Sequence, residues 1–159
     1  MKKIISLFCL VIIISCGSKD EKKKVFEYNR TQKVYKKSNE TKGSKVPVDM
    51  DNKGIGPIKK VDFDATINTD LAEKGKVIFN QKCTACHMAN RKLIGPAMKG
   101  IYERRSPEWV MNILLNPSEM LKKDPIAIAL LKEYNNIMML NQNLSNDEAR
   151  SITEYLRTL

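Results

Sequence analysis

The sequence predicts an all-α fold, a bundle of about four helices preceded by a flexible N-terminal tether. Three observations carry this expectation. Apolar residues recur at helical spacing in four stretches beyond residue 66, each opened by a capping residue or a proline at the first helical position. No stretch alternates apolar and polar side chains for long enough to read as a strand. The first third of the chain is polar, Lys-rich and without period, so it buries too little apolar area to offset its ordering entropy. At 159 residues the chain suffices for one ordinary domain.

Residues 1–15 read as a processing signal. Lys2 and Lys3 charge its front, and residues 4–14 are an almost unbroken apolar run. That run is too short for a membrane-spanning helix, which needs ~20 apolar residues. Ser15-Cys16 closes it and resembles the lipobox of bacterial lipoproteins. The resemblance implies cleavage before Cys16 and lipidation of Cys16, with more than one acyl chain for stable anchoring. A plain secretory signal is the alternative. The expected location is therefore outside the cytoplasm, anchored by lipid to a bacterial membrane and facing the periplasm, or else the outer surface.

Residues 16–65 read as the lipidated, Lys-rich tether, punctuated by Gly43, Pro47, Gly54, Gly56 and Pro57. The whole chain has 28 basic and 18 acidic residues, a net charge of +10. Residues 66–159 hold 13 basic and 10 acidic residues, so most of the excess lies in the signal and tether. The tether is a solvated spacer, or a basic strip for acidic partners or anionic lipid. No nucleic-acid partner is expected, because the signal takes the chain out of the cytoplasm. Whether the stretch 55–63 docks on the domain is left open by the sequence.

The domain, residues 66–159, reads as helix after helix. Asp70 with Glu73 is a capping-box variant, and Leu71, Gly75, Ile78 and Phe79 share the face that follows. Ser106 and Pro107 open a second helix, with Trp109, Val110, Ile113 and Leu114 on its apolar side and Pro117 at its end. Asp124 and Pro125 open a third, running to about Tyr134. Ser145 with Glu148 is a capping box for the last, along which Ala149, Ile152, Leu156 and Leu159 recur.

Chemistry concentrates in Cys83-Thr84-Ala85-Cys86-His87, the Cys-x-x-Cys-His signature of covalent haem attachment. Two thiols a helical turn apart add to the two vinyl groups on one porphyrin edge, and the adjacent histidine ligates the iron. Three rival readings exist. A structural zinc site wants four Cys or His ligands, and with Cys16 lipidated only Cys83, Cys86 and His87 remain. A dithiol redox motif wants a strand before it. A disulfide this local closes only a small loop, with a small entropic gain.

The surroundings resemble class I, monohaem cytochromes c over residues 71–159. The run 73–83, with Gly75 and Phe79, is similar to their N-terminal helix. Gly95-Pro96-Ala97-Met98-Lys99-Gly100 is similar to their Gly-Pro-x-Leu-x-Gly turn. The stretch from Asn141 to Leu156 is similar to their last loop and C-terminal helix. The resemblance implies a cytochrome c-like bundle around one haem c per chain, bound through Cys83 and Cys86 with His87 as an axial ligand. It implies that the Pro96 carbonyl orients His87, that Met98 is core, and that Arg104 meets a haem propionate, with Arg105 as a substitute. Trp109 either donates its indole proton to a propionate or fills the core. Gly75 and Phe79 match positions where the first helix crosses the last, against Tyr155.

His87 is the chain's single histidine, so a second histidine ligand from this chain is excluded. Counting back from Asn141-Gln142 in that family's loop puts the second axial ligand at Met139, with Met138 as the alternative. Leu140 stands where the family usually has proline. Met111 and Met120 read as packing. The function expected is an electron carrier, not an enzyme, tethered to the membrane. Its expected partners are a quinol-oxidising complex and a terminal oxidase or reductase. Two alternatives stand: a haem peroxidase or gas or redox sensor with a labile methionine, and a fixed haem subunit of a respiratory complex.

Overall fold

The computed structural model describes residues 46–159. The expected signal, the lipidation site Cys16 and the tether up to residue 45 lie outside the described residues. Five α-helices and one short 3-10 helix follow: α1 Thr69–Lys82, the 3-10 turn Ile101–Glu103, α2 Pro107–Leu115, α3 Pro117–Lys123, α4 Pro125–Glu133 and α5 Asn146–Leu156. Among the described residues there is no β-strand, only an isolated bridge between Asp49 and Arg105. The all-α expectation holds.

The helix starts follow the caps read from the sequence, with two corrections. Asn68, not Asp70, caps α1: its side chain accepts the Leu71 N–H at 3.0 Å. Asparagine caps as well as aspartate, and the Asn68 N–H is itself fixed by Glu154 at 2.9 Å. Asp70 instead occupies the first turn, where the helix dipole favours an anion. Pro117 does end α2, but it also stands at the first position of the additional helix α3. Its locked φ and missing N–H suit both roles. Ser106, Asp124 and Ser145 cap α2, α4 and α5 as expected, the last in a complete capping box with Glu148.

The core centres on the crossing of α1 and α5. A Cβ on Gly75 would lie 2.0 Å from the Ser151 carbonyl oxygen, so only glycine permits this approach. One turn on, the Phe79 and Tyr155 rings pack with centroids 5.4 Å apart. Ala149, Ile152 and Leu156 complete the α5 face. Trp109, Val110, Met111 and Leu114 of α2 and Met120 of α3 are buried in the same cluster. The packing roles read for Met98, Met111 and Met120 are thus met.

The larger correction concerns residues 46–65, read as tether. They are a strap lying on α2, α3 and α5. Val46 is buried. Asn52 donates to Asp124 at 2.8 Å. Ser106 Oγ donates to the Asn52 carbonyl at 2.6 Å. The fully buried Asn112 amide donates to the Lys53 and Ile58 carbonyls at 2.8 and 2.9 Å and accepts the Ile58 N–H at 3.0 Å. Further on, Phe63 meets Tyr102 edge-on at 5.4 Å and lies beneath the guanidinium groups of Arg150 and Arg157. The strap has no period because much of its hold comes from backbone groups that bind side chains of the helices. A hydrophobic-pattern reading does not register that kind of attachment.

Candidate functional site

The attachment motif begins where α1 ends. The Cys83 N–H still donates to the Phe79 carbonyl at 2.9 Å. The chain then tightens, with the Cys86 and His87 N–H groups both donating to the Cys83 carbonyl at 3.0 and 2.9 Å. This turn brings two cysteines three apart onto one side, followed at once by the imidazole. Both thiols are free; Cys83 is buried and Cys86 exposed. Burial pushes the Cys83 thiol up to about 11, with Cys86 adding to the rise and Lys82 opposing it.

His87 is held from two sides. Its Nδ1 lies 3.1 Å from the Pro96 carbonyl oxygen. Because a carbonyl only accepts, Nδ1 carries the proton and Nε2 keeps its lone pair. Gly95 stacks against the ring, and a Cβ there would come within 2.4 Å of Cε1. Burial lowers the imidazole basicity and the Pro96 bond only partly restores it, so the pKa falls below the ordinary value. The ring is then neutral near pH 7, as a metal ligand must be. The chain that supplies Gly95 and Pro96 is tied back to the motif by Gly95 N–H to the Cys86 carbonyl, 2.8 Å, and Met98 N–H to the Met88 carbonyl, 3.1 Å.

The loop between α4 and α5 carries the methionine pair. It leaves α4 by a Schellman-type turn in which the Asn136 N–H reaches the Leu131 carbonyl at 2.8 Å and Asn135 sits at φ 59°. Met139 is half-buried and packs against the core, whereas Met138 is 62 % exposed. The loop is linked to the attachment segment at both ends. Lys92 Nζ lies 4.2 Å above the Tyr134 ring, and Lys82 Nζ donates to the Gln142 carbonyl at 3.4 Å.

Two other site expectations change. Trp109 gives its indole proton to Asp124 at 3.0 Å and is 4 % exposed. The propionate role read for it is therefore withdrawn in favour of the core role, because a buried carboxylate cap already satisfies its N–H. Arg105 is also turned away, toward the strap: it donates to the Pro47 carbonyl at 2.9 Å and lies 5.5 Å above the Trp109 ring. Arg104 remains beside the Gly95–Gly100 turn, where it donates to the Ala97 and Lys99 carbonyls at 3.2 and 3.1 Å and retains further N–H donors.

The residues fit a covalently attached haem. Two free thiols at the required spacing adjoin a neutral histidine whose Nδ1 proton is held away from Nε2. A thioether is half-buried on a loop tied to the same segment. Among the described residues no three His, Cys, Asp or Glu side chains are arranged to hold a metal ion directly.

The model of the family described as Cytochrome c matches residues 72–159. Among solved structures, a cytochrome c from Rhodothermus marinus is similar at 42 % identity and a TM-score of 0.63, over 65 % of this chain and 88 % of that one. An engineered form of a cytochrome c from that organism is similar at 41 % identity and a TM-score of 0.62, over 65 % and 89 %. No curated protein matches.

Proposed function

The chain belongs to the cytochrome c family and is a haem c electron carrier, and we propose that it works as a membrane-tethered shuttle for single electrons between respiratory partners. When bound, the haem supplies a reversible one-electron iron couple. The shuttle reading is supported by an oriented His87 and by a half-buried thioether at Met139 on a loop tied to the attachment segment. His87 and Met139 would be the residues that hold the iron, which would leave substrate no place on the metal and suit the site to electron transfer alone.

Each residue then has a defined part. Cys83 and Cys86 hold the group by thioether bonds. His87 donates its Nε2 lone pair, and the Pro96 carbonyl keeps the Nδ1 proton in place and raises the donor strength of the ring. Met139 supplies a soft neutral sulfur, which favours the reduced state. Arg104 offers its remaining N–H donors to a propionate. Exposed Leu93, Ile94, Ile137, Met138 and Leu140 give these two loops an apolar surface suited to brief docking. Cys16, lipidated, is the proposed anchor. A quinol-oxidising complex and a terminal oxidase or reductase are the proposed partners.

The test is spectroscopic. Holoprotein made in an export-competent host is expected to give a six-coordinate c-type spectrum. The weak far-red methionine–iron band is expected when oxidised, with no rapid response to CO when reduced. Met139→Ala should abolish the band and Met138→Ala should keep it. A high-spin, CO-responsive wild type would instead favour the labile-methionine reading, which Leu140 in the usual proline position and its 68 % exposure motivate. Cys16→Ser should release the protein from membranes, and membrane retention of that variant would remove the anchor proposal.

A further inference from the structure

We infer that Lys82 and Lys92 are positioning residues that hold the methionine loop at its two ends and so set how readily Met139 leaves the iron. The inference rests on Met139 being the axial ligand, and the experiment below separates the two.

Both lysines belong to the segment that carries the thioether cysteines and His87. Lys82 immediately precedes Cys83. Its Nζ reaches the Gln142 carbonyl at 3.4 Å and the Glu148 carboxylate at 3.6 Å. Glu148 also accepts the Ser145 N–H at 2.8 Å, so this contact grips the point where the loop enters α5. Lys92 lies five residues beyond His87 and sets its ammonium 4.2 Å above Tyr134, where the loop leaves α4. One short segment thus grips both ends of the loop that bears Met139.

The loop between these grips has features of a segment that needs such support. Asn135, Asn136 and Asn143 have φ of 59°, 56° and 50°, a region that L side chains adopt at some strain. Ile137, Met138 and Leu140 are 53 %, 62 % and 68 % exposed and gain little from burial. Leu140 lacks the fixed φ that a proline would give the backbone after Met139. Two cations acting from outside restrict the loop in its place. The chemistry of each pairing is favourable: Lys82 faces a carbonyl and a partly buried carboxylate, and Lys92 faces a ring.

The test uses haem-loaded full chain, as wild type, Lys82→Met, Lys92→Met and the double variant. Lys82→Arg and Lys92→Arg keep the cation, and exposed Lys76→Met serves as the control. Three readouts are taken: the far-red methionine–iron band of oxidised protein against guanidinium, the rate of CO binding to reduced protein, and helix content by far-UV circular dichroism. Each Lys→Met change is expected to speed CO binding roughly fivefold, the scale of one surface cation contact. It should also lose the band at lower denaturant than it loses helix. The double variant should exceed either single, and the arginine variants should return toward wild type.

Unchanged CO rates in all Lys→Met variants, while Met139→Ala opens the iron, would overturn the positioning role alone. Loss of band and helix together would reduce the lysines to general stabilisers and overturn it too. A band that survives Met139→Ala would overturn the ligand assignment and, with it, this inference.

Discussion

The two ring nitrogens of His87 face different chemistry, and a single missing methyl group makes that possible. Gly95 lies so close to the ring that a Cβ would sit 2.4 Å from Cε1. Gly95→Ala must therefore tilt the imidazole or move the turn, which loosens the 3.1 Å contact of Nδ1 with the Pro96 carbonyl. Overpacking of this kind costs ~1–3 kcal/mol. The variant is expected to melt lower and to show a perturbed low-spin spectrum at equal haem content. Trp109 makes the opposite prediction. Trp109→Phe should cost ~1–2 kcal/mol in denaturant unfolding, because Asp124 loses one donor. The reduction potential should not move, since the indole proton is spent within the core; a shift of tens of millivolts would restore the propionate role. At this scale Cys83, Cys86, His87 and Pro96 were legible from spacing and resemblance. The partner of Trp109 was not. Asp124 lies fifteen residues away, and its capping signal named only one of its three tasks.

Helix positions were legible because caps and prolines announce themselves locally, and the crossing of α1 with α5 followed from Gly75, Phe79 and Tyr155. Gly75→Ala would place a methyl group 2.0 Å from the Ser151 carbonyl oxygen. A loss of ~3 kcal/mol is expected, since backbone cannot yield as a side chain can, read as a lower thermal midpoint in holoprotein. The ends of these two helices are also joined by charge. Burial pushes the Glu154 carboxyl up, but the Asn68 N–H and the Arg150 and Arg157 guanidiniums outweigh it and hold it below the ordinary range. Both guanidiniums lie 2.5 Å from its oxygens. A carboxyl whose folded pKa is depressed stabilises fully above its unfolded value and loses that contribution as pH falls through the folded one. Wild type should therefore lose stability on acidification below about pH 4.5. The gap between it and Glu154→Gln should narrow in the same range, as followed by denaturant midpoints across pH. The sequence showed Glu154 only as a polar residue on the last helix. One of its partners, the Asn68 N–H, lies far back in the chain.

At the scale of the whole molecule, the strap redraws the domain. A chain starting at residue 46 is expected to keep the stability of the full protein. A chain starting at residue 66 uncovers Trp109, Asn112 and Met120, and should melt ~10 °C lower or more, the equivalent of ~2 kcal/mol at this size. Equal midpoints for the two would show the strap to be energetically idle. The sequence placed the boundary at residue 66 because residues 46–65 lack a repeating apolar pattern. Much of their hold comes from the side chains of Asn112, Asp124, Ser106 and Glu108 on backbone and amide groups, which no periodicity records. The course of the strap also decides where a mechanical load would fall. A pull arriving from the N-terminal side meets Arg105, Asn52 and Asn112 before it reaches Arg157 and the Asn68 cap. Only past those would tension enter α1 and the thioether turn. Under the proposed anchoring the strap would act as a strain relief, its outer bonds fraying in sequence before tension reached the turn that carries Cys83 and Cys86.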